Sequence, residues 1–94
     1  MGRVTIKVKF FAYFREIFEA REKDLILPEG AAIRSLLEAL ADSPRRREEL
    51  FAGEALKPLI IVMKNGTSIS SLQGLETPLA EGDTIAVFPF VAGG

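Results

Sequence analysis

From Arg3 to Phe10 the chain alternates without a break. Val4, Ile6, Val8 and Phe10 share one face, and Arg3, Thr5, Lys7 and Lys9 the other. A period of two over that length predicts a half-buried strand. The period then changes: Phe14, Ile17 and Phe18 at i, i+3 and i+4 predict a short helix over Ala12–Ala20. Leu25–Leu27 predicts a second strand, closed by the turn residues Pro28, Glu29 and Gly30. Ile33, Leu36, Leu37 and Leu40 fall on one face of a principal helix, with Arg34, Ser35 and Glu38 turned away. Its start is weakly capped, because no Ser, Thr or Asp stands immediately before Ile33. Ser43-Pro44 is a better start signal: a capping hydroxyl followed by a proline suited to the first helical position. It predicts an extra short helix around 44–52, running towards Phe51 and stopped by Gly53.

The second half reads as strands. Leu59–Met63 is apolar at every position, the pattern of a strand covered on both faces. Asn65-Gly66 follows, and both residues tolerate the positive φ of a two-residue hairpin turn. Thr67-Ser68-Ile69 is then the return strand. Glu81-Gly82-Asp83 makes a further turn, and Thr84–Phe88 is the last strand, stopped by Pro89. No repeat, low-complexity tract or interdomain linker interrupts the chain. The expectation is an α+β domain over residues 1–88, with a mixed sheet packed on one main helix, and a flexible C-terminal tail over 89–94.

Composition removes more functions than it suggests. The 94 residues are 48% apolar and 27% charged with a formal net charge of −1. That is ordinary globular composition, without the positive footprint of a nucleic-acid binder. There is no cysteine and no histidine. Disulfides, thiolate or imidazole metal sites, cysteine nucleophiles and histidine bases are therefore excluded. Ser35, Ser43, Ser68, Ser70 and Ser71 have no histidine to activate them, and no motif supports pairing one with Lys57 or Lys64. The carboxylates, Glu48-Glu49 among them, read as solvated surface charge. The chain is expected to catalyse nothing alone. Arg45-Arg46-Arg47 runs straight into those two glutamates with no aromatic to stack a base, so it reads as an exposed helix face. The apolar runs Phe10–Phe14 and Leu59–Met63 are too short to span a bilayer, and residues 1–15 hold no uninterrupted apolar h-region of the kind a secretory signal needs. A cytoplasmic protein with neither nucleic-acid nor membrane partners is the expectation.

Gly30, Gly53, Gly66, Gly74 and Gly82 all stand in turn contexts. Gly93-Gly94 has nothing after it to turn. A frayed end or an expression remnant would explain it without function; so would chemistry. The Gly94 carboxylate, ionised and inert at neutral pH, becomes an acyl donor once ATP converts it to an acyl-adenylate. An enzyme doing this must draw the carboxylate into a narrow, water-excluding site, which two residues without side chains suit. From Pro89 a six-residue tail reaches roughly 20 Å when extended. Strand alternation points Ile85 and Val87 to the core and Thr84, Ala86 and Phe88 outward. Phe88 with Pro89, Phe90, Val91 and Ala92 then forms an apolar, partner-binding root for the tail. Phe88 packed under the second helix is the other possibility.

The stretch from Thr77 to Gly94 resembles the MoaD-type sulfur carriers, the small subunit of molybdopterin synthase. Val8–Ala12, Leu27–Ala31, Asn65-Gly66 and Leu72–Leu75 match that family in position and spacing. The resemblance covers nearly the whole chain and implies a ubiquitin-like β-grasp fold. It also implies that an E1-like enzyme using Mg-ATP adenylates Gly94, the carrier itself binding no cofactor. A persulfide donor then displaces AMP and leaves a thiocarboxylate. In molybdopterin synthase the tail enters a large catalytic subunit, usually in an assembly of two small and two large subunits, and sulfur passes to precursor Z of the molybdenum or tungsten cofactor. Catalytic side chains belong to those partners. The chain differs from the family pattern in having Phe90 where a second proline is common, and in a longer segment over Ser43–Lys57. Long forms of this kind include carriers for tRNA thiolation and small archaeal modifiers joined to lysines; ThiS-type carriers serve thiamine synthesis, and others cysteine synthesis. All share the Gly-Gly end.

Overall fold

The computed structural model describes residues 2–90. Strand β1 (Arg3–Phe10) alternates exposed and buried along its whole length, as its period of two requires. It lies inside a five-stranded sheet. On one side it pairs antiparallel with β2 (Glu22–Pro28), from Arg3 opposite Pro28 to Lys9 opposite Glu22. On the other it pairs parallel with the last strand, β7 (Thr84–Pro89), from Lys7 opposite Thr84 to Phe10 opposite Val87. Beyond β7 comes β5 (Ile60–Lys64), antiparallel, and then the two-residue β6 (Thr67–Ser68), so the order is β2-β1-β7-β5-β6.

Two parallel strands side by side need a long connection, and helix α2 (Ile33–Leu40) lies within it. Ile33, Leu36, Leu37 and Leu40 are buried together with Val4, Ile6, Val8, Phe10, Ile85 and Val87. The core thus sits between α2 and one sheet face, and among the described residues no helix covers the opposite face. The expected β-grasp, a mixed sheet covered on one side by one main helix, is what the chain forms.

Several element boundaries differ from the sequence reading, each for a local reason. The helix expected over Ala12–Ala20 is a single turn, α1 (Phe14–Ile17), bounded by left-handed Ala12 (φ 54°) and Glu19 (φ 55°). Its Phe14, Ile17 and Phe18 nonetheless reach the core, and one turn suffices to bring them there. Strand β2 begins at Glu22 rather than Leu25, because ladder bonds to β1 hold its polar first half. Helix α3 (Pro44–Leu50) ends two residues short of the expected 52. Phe51–Ala52 (β3) instead forms a small hairpin with Ala55–Leu56 (β4) around left-handed Gly53 (φ 65°). After Ser68 the chain enters two 3₁₀ turns, Ile69–Ser71 and Gly74–Glu76, so Ile69 is not part of the return strand. The Asn65-Gly66 turn has the expected positive φ at both positions, 49° and 86°.

The basic run is spent on structure. Ser43 Oγ caps α3 by accepting the Arg46 N–H at 3.2 Å. Arg46 donates from Nε to the Ile17 carbonyl (3.0 Å), pairs with Asp42 and lies over the Phe18 ring. Arg47 reaches Glu38 at 2.7 Å and covers Phe51. Two of the three arginines therefore fasten α3 to α1, α2 and the hairpin, and Arg45 stays exposed. Among the described residues no helix is long and apolar enough to cross a membrane.

Leu36 is fully buried where α2 meets the sheet. Leu36→Ala is expected to cost about 2–5 kcal/mol, read as a lower midpoint in urea with the denaturant slope unchanged.

Candidate functional site

Strand β7 builds the site because its two faces do different work. Ile85 and Val87 are fully buried in the core, whereas Thr84, Ala86 and Phe88 lie half-buried on the open face. Phe88 therefore points outward, not under a helix. Its ring meets Phe11 edge-on, with centroids 5.8 Å apart and planes at 83°. Phe11 follows the end of β1 and donates its N–H to the Val87 carbonyl at 3.3 Å. The Arg15 guanidinium lies 5.4 Å from the centre of the Phe11 ring, while its Nε bonds the Phe10 carbonyl at 2.9 Å.

An open groove of about 450 Å³ runs between Phe11, Ala12, Met63, Ala86, Phe88 and Pro89. Ile61, opposite Phe88 in register, is half-buried beside it. Leu59 (65% exposed) and Phe90 (51%) extend the apolar surface around the end of β7. This corrects the expectation of a strand covered on both faces: Ile60 and Val62 fill the core, but Leu59, Ile61 and Met63 are apolar because they belong to this surface. Toward β2 the same sheet face is mostly charged or polar, with Lys7 and Glu22 paired at 3.2 Å and Lys9 exposed, although Ile26, opposite Thr5, is also exposed there.

The strand also reaches further than expected. Pro89 pairs with Ile60, and the Phe90 N–H donates to the Leu59 carbonyl at 2.8 Å. At the far end of the same ladder the Asn65 N–H donates to the Thr84 carbonyl. Even-numbered residues of β7 thus direct their backbone groups toward β5, and odd-numbered ones toward β1. The missing N–H of Pro89 faces the side where β1 has already ended, so the proline removes no ladder bond. Of the residues singled out in the sequence, Phe88, Pro89 and Phe90 come together here; Val91, Ala92, Gly93 and Gly94 lie outside the described residues.

The opposite end of β7 is held by Asp83, only 8% exposed. Its carboxylate accepts from Asn65 Nδ2 at 2.9 Å and from the Ala80 N–H at 2.8 Å, with Lys64 Nζ 3.6 Å away. Asn65 Oδ1 in turn accepts the Thr84 N–H. Burial alone would raise the Asp83 pKa, but the bonds from Asn65 and Ala80 and the Lys64 charge outweigh it and hold the group below the ordinary carboxylate value. Sequence reasoning took Asp83 for a turn residue and missed this clasp. It also missed Phe11, whose signal was an apolar residue just beyond the alternating strand. Among the described residues no cluster of histidine, cysteine, aspartate or glutamate is placed to hold a metal.

The sheet order, the single covering helix and the apolar face that runs out along the last strand define a ubiquitin-like β-grasp protein. The chain belongs to the ThiS family, whose model matches residues 8–94. It is 33% identical over 92 residues to small archaeal modifier protein 3 of Haloferax volcanii, covering 97% of this chain and all of that one. The solution structure of small archaeal modifier protein 1 from Methanosarcina acetivorans superposes with a TM-score of 0.82 at 29% identity, over 100% of both chains. A Pyrococcus furiosus protein ascribed to molybdopterin converting factor subunit 1 does so with a TM-score of 0.76 at 32% identity, over 94% of this chain and 99% of that one.

Asp83 makes the fold acid-sensitive in a stated direction. Its lowered folded-state pKa stabilises the fold fully above the unfolded carboxylate value of about 3.9. That contribution is lost as pH falls through the folded value. Asp83→Asn should flatten the acid limb of a stability-versus-pH curve, and Asp83→Ala should cost about 1–3 kcal/mol at neutral pH, both measurable by urea titration.

Proposed function

We propose that this chain is a carrier of the small-modifier and sulfur-carrier kind, acting through its C-terminal glycine. The observation that supports it best is the apolar groove around Phe88, which ends where the Gly-Gly tail begins, in a member of the ThiS family. A partner that covers the groove receives the tail in its own active site. The partner invoked is an E1-like enzyme with Mg-ATP. The Gly94 carboxylate attacks the α-phosphorus, pyrophosphate leaves, and an acyl-adenylate results. A lysine amine that displaces AMP gives an isopeptide bond. The terminal sulfur of a persulfide that displaces AMP gives an acyl disulfide, which a thiol reduces to the thiocarboxylate. The catalytic side chains in this scheme are the partners', in keeping with a chain that has neither histidine nor cysteine. A cytoplasmic site of action is part of the proposal.

The likeness to small archaeal modifiers favours conjugation as the outcome; membership of the ThiS family also supports delivery of sulfur to an acceptor such as tRNA, thiamine or cysteine precursors. The Pyrococcus likeness supports a second reading at similar identity. There the chain is the small subunit of molybdopterin synthase, paired two-plus-two with a large catalytic subunit and giving its sulfur to precursor Z.

Intact mass after incubation with ATP, an E1-like enzyme and a persulfide donor separates these possibilities. Replacement of one oxygen by one sulfur, absent when Gly94 is deleted, is expected of the sulfur carrier. Lysines bearing the tail through their side-chain nitrogen are expected of the modifier. Neither product, with an enzyme competent on its own carrier, would refute the proposal.

A further inference from the structure

The end of β7 and the segment that follows α3 meet at one backbone contact. The Phe90 N–H donates to the Leu59 carbonyl at 2.8 Å. A proline at 90 could not make this bond. Leu59 is presented by a turn closed by the Ile60 N–H on the Lys57 carbonyl at 3.2 Å. That turn is fastened to the end of α3 by the Lys57 N–H on the Leu50 carbonyl at 2.9 Å, and Leu50 itself is fully buried. Three backbone bonds therefore run from the end of α3 to the last described residue before the tail.

We infer that this clamp sets the working length of the tail: Leu59 and Phe90 are positioning residues that hold the tail root in the sheet. Between the clamp and the Gly94 carboxylate the sequence then has four residues, Val91 to Gly94. Fully extended they reach about 13–14 Å, against the roughly 20 Å of a six-residue tail freed at Pro89. The matching partner keeps its adenylation site within that shorter distance of the surface that covers the groove. A partner built for a longer free tail holds its site deeper and activates this chain poorly. The inference rests on the activation of Gly94 proposed above.

The test adjusts tail length and clamp separately. Deleting Ala92 leaves three residues beyond Phe90, and kcat/KM for adenylation should fall at least a hundredfold. One glycine inserted between Phe90 and Val91 of the deletion variant should restore most of it; failure there would show that length is not what was lost. In the deletion background Phe90→Pro removes the donor and frees position 90. Phe90→Ala removes the same ring and keeps the donor. The proline variant should be at least tenfold more active than the alanine variant, and equal activities would overturn the inference. Hydrogen exchange in the free protein gives a readout independent of any enzyme: the Phe90 amide should exchange at least tenfold more slowly than an unpaired amide. An unprotected Phe90 amide would also overturn it. Failure of the unaltered chain to be adenylated, with a protected amide, would count against the proposed function and leave the clamp standing.

Discussion

The parallel pairing of β1 with β7 is the constraint from which the rest of the architecture follows. Antiparallel neighbours can be joined by a tight turn, but the first and last strands of this chain run the same way and lie side by side. The chain between them must cross over, and it does so on one face, where α2 buries its apolar side against the sheet. Among the described residues no helix covers the other face, and Phe11 folds over part of it from the end of β1. The same pairing carries the C-terminal end of β7 past the point where β1 stops.

What occupies the free face is uneven. Near β2 it carries paired charges, which keep it hydrated. Along β7 and β5 it is Phe88, Ala86, Met63 and Ile61 with Phe11 folded over from the end of β1. Burying such a patch is favourable by about 25 cal/mol per Å² of apolar surface covered. In the proposed function the groove would supply affinity, and the tail, whose glycines have no side chains, would supply access to chemistry on the partner. The Asp83 clasp at one end of β7 and the Phe90–Leu59 bond at the other hold the strand that lines the groove.

Elements with strong periodicity are legible in the amino-acid sequence: β1, the α2 face, the Asn65-Gly66 turn and the outward position of Phe88 all depend on local spacing alone. The misreadings come from places where tertiary partners decide. Phe14, Ile17 and Phe18 satisfy helical spacing, yet left-handed backbone at Ala12 and Glu19 confines the helix to one turn. Glu22 to Asp24 look like loop and become strand because β1 offers them a ladder. The continuous apolar run Leu59–Met63 suggests burial on both sides, since a sequence does not distinguish an apolar residue facing a core from one facing a docking surface. Asp83 is invisible as a buried group because its partners, Asn65, Lys64 and Ala80, converge only once the hairpin and the turn before β7 are in place.

The central claim, that the open face beside the tail root is the working surface, is most directly tested by titrating the isotopically labelled chain with an E1-like activating enzyme and following backbone amide signals. Broadening concentrated on Phe11, Met63, Ala86, Phe88 and Phe90, with α2 and α3 unaffected, is the predicted result. Broadening centred on the helix-covered side, with the groove residues unchanged, would contradict the account.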